Sequence, residues 1–376
     1  MKKVLLRMML ILLALFLVVA LTLKFFHGQG DYYQDISGQP VVPADKLDTP
    51  ILLPFPPGMI TSSKDGRIFY TYHPFHRPDR FVSATLFEWV DGESRPFPSV
   101  EMQQHFKGAM GITVDRQNRL WVIKPGALEG KLTELLAVDA TTGELILEHS
   151  FNQGEAGYAQ DLRVSKDGKT VFLADTGLFK FVKPSLLVFD VETQTTRTLL
   201  KGHSSVSPQN WLVRKTDGEP HRLAFGLITF AVGVDGIALS GDDKWLYYAT
   251  MSHDSMYRIP TEKLLDDSLS EAALADAIEY VGHKPLSDGI ELLVDNTVII
   301  TDIENGGLAA LSPSGVLSTL TKDSVVDWAD SVTVAPNGDI WFTDSRLTDL
   351  IDQFAAPSGE KTMREKGPYK IWRIRP

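Results

Sequence analysis

The chain has 376 residues, 43% of them hydrophobic and 23% charged, which is the composition of a well-buried globular protein and not of a disordered or fibrous one. It has no cysteine, which excludes disulfides, thiolate metal sites, iron–sulfur clusters and cysteine nucleophiles. The net charge is −11, and residues 1–30 hold Lys2, Lys3, Arg7 and Lys24 but no acid, so the remaining body is more acidic still and, taken as a whole, should repel nucleic acid and anionic lipid.

Met8 to Leu23 is an apolar run interrupted only by Thr22 and flanked by Arg7 and Lys24. As a helix it spans about 24 Å, short of the ~30 Å hydrocarbon core. Snorkelling by the flanking bases, with Val4–Leu6 and Phe25–Phe26 at the ends, closes that gap. Val18-Val19-Ala20 resembles a cleavage site but sits inside the run. Residues 1–27 are therefore read as an uncleaved signal-anchor, with a cleaved signal peptide as the alternative. The basic N-terminus stays cytoplasmic, residues 4–26 cross the inner membrane, and the body lies in the periplasm. Cleavage would instead release it to the periplasm or the exterior. Residues 28–48 turn polar and irregular and read as a tether.

From residue 49 to 376 a unit of about fifty residues recurs six times: apolar strand, polar turn, apolar strand. The copies are 60–70, 112–122, 162–173, 237–248, 290–300 and 332–342. Asp65-Gly66, Asp167-Gly168, Asn337-Gly338 and Asp295-Asn296 supply hairpin turn chemistry at their centres. A further strand pair follows most copies, as in Leu186–Asp190 with Thr195–Leu200. Four strands per unit, six times over, predict an all-β, six-bladed β-propeller preceded by the signal or transmembrane segment. Ile51–Phe55 and Lys370–Arg375 are expected to close the ring in one blade. Between the fourth and fifth hairpins, Thr261–Leu265 reads as a capped helical turn and Ser270–Val281 as a short amphipathic helix with Leu274, Ile278 and Val281 on one side. A longer insertion, residues 202–230, precedes the fourth hairpin.

In each hairpin the first strand runs down the channel and the second returns. The residue before the first strand and the residue after the second therefore share a face. The "before" positions are Gly58, Met110, Gln160, Asp235, Asp288 and Asp330, with Asp161 adjacent; the "after" positions are Tyr72, Lys124, Asp175, Thr250, Asp302 and Asp344. Blades three to six thus supply an acidic rim. Crowded carboxylates are relieved by raised pKa values or by a bound cation, and oxygen-only ligands suit Ca²⁺ or another divalent cation, with Asp235 and Asp288 as candidate ligands. The bland alternative is that these aspartates bond backbone N–H groups and fix the packing between blades. His203, Asn210 and Trp211 sit in the long insertion, where they either overhang the channel or pack within the loop. The nine histidines are scattered, and no His-Glu-x-x-His, Gly-x-Ser-x-Gly or phosphate-cradling loop is present, which disfavours zinc hydrolases, serine-elbow hydrolases and nucleotide enzymes.

Val234-Asp-Gly-Ile-Ala-Leu-Ser240, Met256-Tyr-Arg-Ile-Pro-Thr261, Lys284-Pro-Leu-Ser-Asp-Gly-Ile290 with Ile300-Thr-Asp-Ile-Glu-Asn305, Arg67–Arg77 and Pro368–Arg373 resemble blocks of the major royal jelly/Yellow protein family in its bacterial form. The resemblance runs over about residues 50–376 and implies an exported six-bladed propeller. Relatives of that family are linked to dopachrome conversion, binding of biogenic amines, or nutrition, and the family carries no agreed catalytic set. The wider six-bladed group includes gluconolactonase-like, calcium-dependent lactonases. Asp235 and Asp288 look like two of their metal positions, with Asp in place of Asn at 235 and no counterpart of the group's blade-one Glu near Pro57-Gly58. Three functions follow as expectations. The first is capture of a small, cationic aromatic molecule at the rim by Asp235, Asp288, Asp302, Asp330, Asp344, Asp175 and Gln160. The second is a metal-dependent hydrolase or isomerase at the same rim, and the third a protein-interaction scaffold.

Overall fold

The computed structural model describes residues 2–351 and 358–376. Six four-stranded antiparallel sheets stand in a ring. Their innermost strands are Pro57–Ser62, Gly111–Val114, Ala159–Val164, Val234–Leu239, Ile290–Leu292 and Ala329–Val334, each neighbouring the next, with the last returning to the first. The turn chemistry explains the hairpins: Gly168, for example, sits at φ +73°, a conformation that a side chain would strain. Apolar faces of successive sheets pack together. Phe69 and Leu86 of blade one meet Leu120, Val122, Leu136 and Val138 of blade two, all fully buried. The ring closes as expected, by Asp48–Leu53 pairing with Tyr369–Ile374 in blade six, with Ile51 opposite Ile371 and Leu53 opposite Tyr369.

The expected helix at 270–281 is half strand. Ser270 caps a single helical stretch, Glu271–Asp276, and Glu279–His283 then becomes the outer strand of blade four beside Ser255–Pro260. Leu274 is buried against the blade, but Glu279, Tyr280, Gly282 and His283 pair with the edge of blade four, with Val281 at a register shift. Thr261–Leu265 is helical as expected.

Lys2–His27 forms one helix of 26 residues with no buried side chain, about 39 Å long and apolar enough to cross a membrane. Residues 28–48, read as a tether, lie along the propeller. Asp31 bridges Trp211, Val41 and Val42 donate to the carbonyls of Thr319 and Leu320, and Lys322 pairs with Asp35 at 2.7 Å. Buried Tyr33 donates its hydroxyl to the Lys284 carbonyl at 3.1 Å.

Candidate functional site

The inner strands start with a defect. In blades one, three, four and six the ladder slips at its first residues, between Pro57 and Ile60, Ala159 and Asp161, Val234 and Gly236, and Ala329 and Val332. Gly58, Gln160, Asp235 and Asp330 fall in these bulges, which turn a residue out of the ladder towards the channel mouth. Second-strand threonines satisfy the amides at these strand starts. Thr71 Oγ1 accepts from Met59, Thr301 Oγ1 from Asp288 and Gly289, and Thr343 Oγ1 from Ser331. At Gly289 the neighbouring strand comes so close that an added Cβ would lie 2.6 Å from the Asp330 carbonyl oxygen, so only glycine lets Asp288 reach the axis.

All six "before" positions line one cavity of about 70 Å³ at the channel mouth. Its floor holds Asp161, Asp235, Asp288 and Asp330, and its walls include Phe75, Tyr158, Phe179 and Phe230. Beneath it Arg163 spans the channel from blade three to blade five. Its guanidinium donates to Asp161 Oδ1 at 2.7 Å and to the Ile290 carbonyl at 3.2 Å, and lies 3.5 Å from Glu291. A separate void of about 10 Å³, space for about one water, is lined by Asp161, Arg163 and Glu291.

None of the "after" positions lines this cavity, and their three carboxylates serve the backbone. Asp175 accepts from Gly177 N at 2.9 Å and Tyr158 N at 3.4 Å. Asp302 accepts from Glu304 N, Asn305 N and Asn305 Nδ2 at 3.0–3.3 Å. Asp344 accepts from Asp327 N at 3.2 Å and Trp328 N at 3.1 Å. Each holds the loop that enters or leaves its own blade. Gln160 bonds Thr176 Oγ1 at 3.3 Å.

The floor carboxylates are less well supplied. Asp161 accepts from Leu162 N, Ile237 N and Arg163, and Asp288 Oδ2 accepts from Trp328 Nε1 at 2.7 Å. Asp235 Oδ2 and Asp330 Oδ2 are buried with no hydrogen-bond partner among the described residues. Burial, with the neighbouring floor aspartates second, holds the Asp235 and Asp288 carboxyls well above the usual range. Burial likewise pushes Asp330 up to about 7. His73 Nε2 stands 3.6 Å from Asp330 Oδ2, too far for a hydrogen bond. Burial keeps that imidazole neutral, well below its usual pKa, and its Nδ1 accepts from Phe75 N. His73 follows the second strand of blade one, so the same hairpin geometry could have found it; His73, Phe75 and Trp328 were not among the expected site residues.

The insertion roofs the mouth. Phe230 meets Phe179 at 5.8 Å and fully buried Trp328 at 6.0 Å, and Trp328 meets buried His221 at 5.7 Å. His203, Asn210 and Trp211 stay within the loops: His203 bonds Ser205, Asn210 accepts from Lys180 at 2.6 Å, and Trp211 packs on Tyr33 at 5.1 Å. A lactonase-type calcium site is not matched by the donors present. Blade one offers Gly58 where that group has a glutamate, and no set of three His, Asp or Glu among the described residues is spaced to hold a metal.

Comparison with known proteins agrees with this architecture. The chain is similar to a gluconolactonase from Xanthomonas campestris, with a TM-score of 0.53 and 12% identity over 88% of this chain and 89% of that one. It is also similar to regucalcin, a calcium-binding protein, from Agrobacterium tumefaciens, with a TM-score of 0.55 and 12% identity over 90% and 95%. At such identities the likeness is one of fold. No curated protein matches the sequence. The model of the major royal jelly protein family matches residues 107–338, more than half of the sequence, and the chain belongs to that family.

Proposed function

We propose that the protein is a membrane-anchored propeller that captures a small cationic aromatic molecule in the roofed pocket. One observation carries this reading: Asp235 Oδ2 and Asp330 Oδ2 are buried oxygens with no hydrogen-bond partner among the described residues, in a cavity whose walls include the aromatic rings of Phe75, Phe179 and Phe230. A buried carboxylate without a partner is costly, and an ammonium group removes the cost by pairing with it. The ring of the same molecule would lie against Phe179 and Phe230, and its charge would draw on nearby π faces. Asp161, already held by Arg163, serves as scaffold.

Titration calorimetry of the purified protein tests this with 2-(4-hydroxyphenyl)ethylamine and the neutral alcohol of the same skeleton. The amine should bind at least about tenfold more tightly, a difference of ~1.4 kcal/mol. Equal affinities, or no binding of either, would overturn the reading. A divalent cation is the rival occupant, favoured by the same two oxygens. A Ca²⁺-dependent rise in melting temperature that the amine does not reproduce would select it and reopen the hydrolase or isomerase reading. Anchoring in the inner membrane through residues 4–26, with the propeller in the periplasm, is tested by a reporter that works only outside the cytoplasm, fused after Pro376. A silent reporter refutes the topology, and a product shortened to about residue 21 and released from the membrane refutes the anchor.

A further inference from the structure

The anchor helix does not hang free of the propeller. Lys24 Nζ donates to the carbonyls of Gly28 at 2.9 Å and Gly226 at 2.8 Å, and Thr229 Oγ1 donates to the His27 carbonyl at 3.0 Å. The His27 ring stacks on Phe181, centroids 4.2 Å apart. The span therefore ends directly on the roof, with no slack between the last helical turn and the loops over the pocket.

Those loops have an unusual surface. Phe225 is fully exposed, and Phe181 and Val182 are 46% and 38% exposed. Phe225 and its neighbour Ala224 both sit in the left-handed region, at φ +58° and +48°, a conformation unfavourable for a residue that carries a side chain. The chain is strained there to present a phenylalanine to the outside. The charge pattern also reverses. Residues 176–184, 200–216 and 220–234 contain no Asp or Glu although the chain carries 48, with Asp217 and Glu219 the two acids of the insertion, and they hold Lys180, Lys183, Lys201 and the exposed Arg222.

We propose that the channel-mouth face lies against the bilayer, with Phe181, Val182 and Phe225 at the headgroup–acyl boundary and the basic stretches 176–184, 200–216 and 220–234 against anionic headgroups. This rests on the reading of Lys2–His27 as a membrane span. It adds an orientation and a source of ligand. The tight turn from Leu178 to Val182 places Phe179 in the pocket wall and Phe181 on the membrane side, so the molecule that reaches the aspartates enters from the lipid interface and is amphipathic as well as cationic.

The absence of native cysteine makes single labels clean. The full-length variants L12C, F181C, F225C and V294C each take an environment-sensitive fluorophore and are reconstituted in vesicles of phosphatidylcholine and phosphatidylglycerol. Val294 is fully exposed in the turn at the opposite end of the channel. Spin-labelled lipid should quench the labels at 12, 181 and 225 at least about twofold more than the label at 294, because an interfacial side chain sits ~5–10 Å into the headgroup boundary. Quenching at 12 without quenching at 181 and 225 overturns the orientation and leaves the anchor standing. No quenching at 12 overturns both. Equal quenching at 225 and 294 overturns the orientation. In pure phosphatidylcholine the quenching at 181 and 225 should fall; if it does not, the basic loops have no part in the contact.

Discussion

Two tiers of aspartate stand at the same end of this propeller, drawn from its inner hairpins, and they have opposite fates. Asp175, Asp302 and Asp344, at the end of second strands, are clothed by backbone amides. Before the first strands, Asp288 accepts from the Trp328 indole, while Asp235 Oδ2 and Asp330 Oδ2 have no hydrogen-bond partner among the described residues. The difference is made by the backbone and not by the residue. A carboxylate at the end of a regular strand meets the N–H groups of the loop folding over it, whereas Asp235 and Asp330, turned out by bulges, are aimed away from them. The first tier holds loops, and the second stores an unmet demand for positive charge.

The largest effect should come from stripping the clothed tier. Asp344→Ala leaves the amides of Asp327 and Trp328 without their acceptor and should cost about 2–3 kcal/mol in chemical denaturation. An Asp344→Ala protein as stable as the parent would mean that the two tiers do not differ. Asp330→Asn should do the reverse: no loss of stability at pH 8, because an uncompensated charge is removed, and at least about a tenfold loss of amine affinity, ~1.4 kcal/mol. Loss of stability equal to that of Asp344→Ala would erase the distinction.

The pH dependence is a finer probe. Burial raises Asp302 and Asp344 to about 6 and Asp330 to about 7. Each holds its proton in the folded chain at a pH where the unfolded chain, at about 3.9, has lost it. The contribution of these three groups to folding stability should therefore fall as pH rises from about 4 to 7, opposite in sign to that of buried His73 and His76, whose lowered pKa values make their contribution rise with pH. Asp330→Asn should flatten the upper part of that slope, from about pH 6 to 7, while Asp344→Ala flattens the lower; denaturation midpoints at half-unit intervals read both. Saturating amine should oppose the slope, since it binds the ionised form. The smallest expected effect is that of calcium. With no set of three ligands at metal spacing among the described residues, Ca²⁺ and chelator should give melting temperatures within about 1 °C, against a gain of ~2.7 kcal/mol for any ligand at a hundredfold excess over its dissociation constant.

The six hairpins were legible because period-2 strands and Asp-Gly turns are local signals, and the closing strands because a ring leaves no other partner for 51–55 and 370–375. The placement of Gln160, Asp235, Asp288 and Asp330 at one cavity followed from strand direction alone. Whether an aspartate is satisfied did not, since it depends on a one-residue slip that leaves no mark in the pattern. The roof was equally hidden: Phe230, Trp328 and Tyr33 come from segments without period, joined only in three dimensions. At 278–281 the three-residue spacing of Ile278 and Val281 fits a helix, and an edge position beside Ser255–Pro260 drew Glu279–His283 into the sheet instead.

The clasp in blade six has a consequence for how the molecule is made. Its outer strand, Asp48–Leu53, emerges just after the anchor, and its partner, Tyr369–Ile374, emerges last. At synthesis rates of ~5–20 residues per second the two leave the ribosome roughly 15–60 s apart. For that interval a nascent edge waits unpaired near the membrane, where another nascent chain could add to it. Pro50, inside that strand, has no amide hydrogen to offer, and a proline on an edge blunts such pairing. The residue that interrupts the clasp's own ladder thus guards it against the wrong partner until the right one arrives.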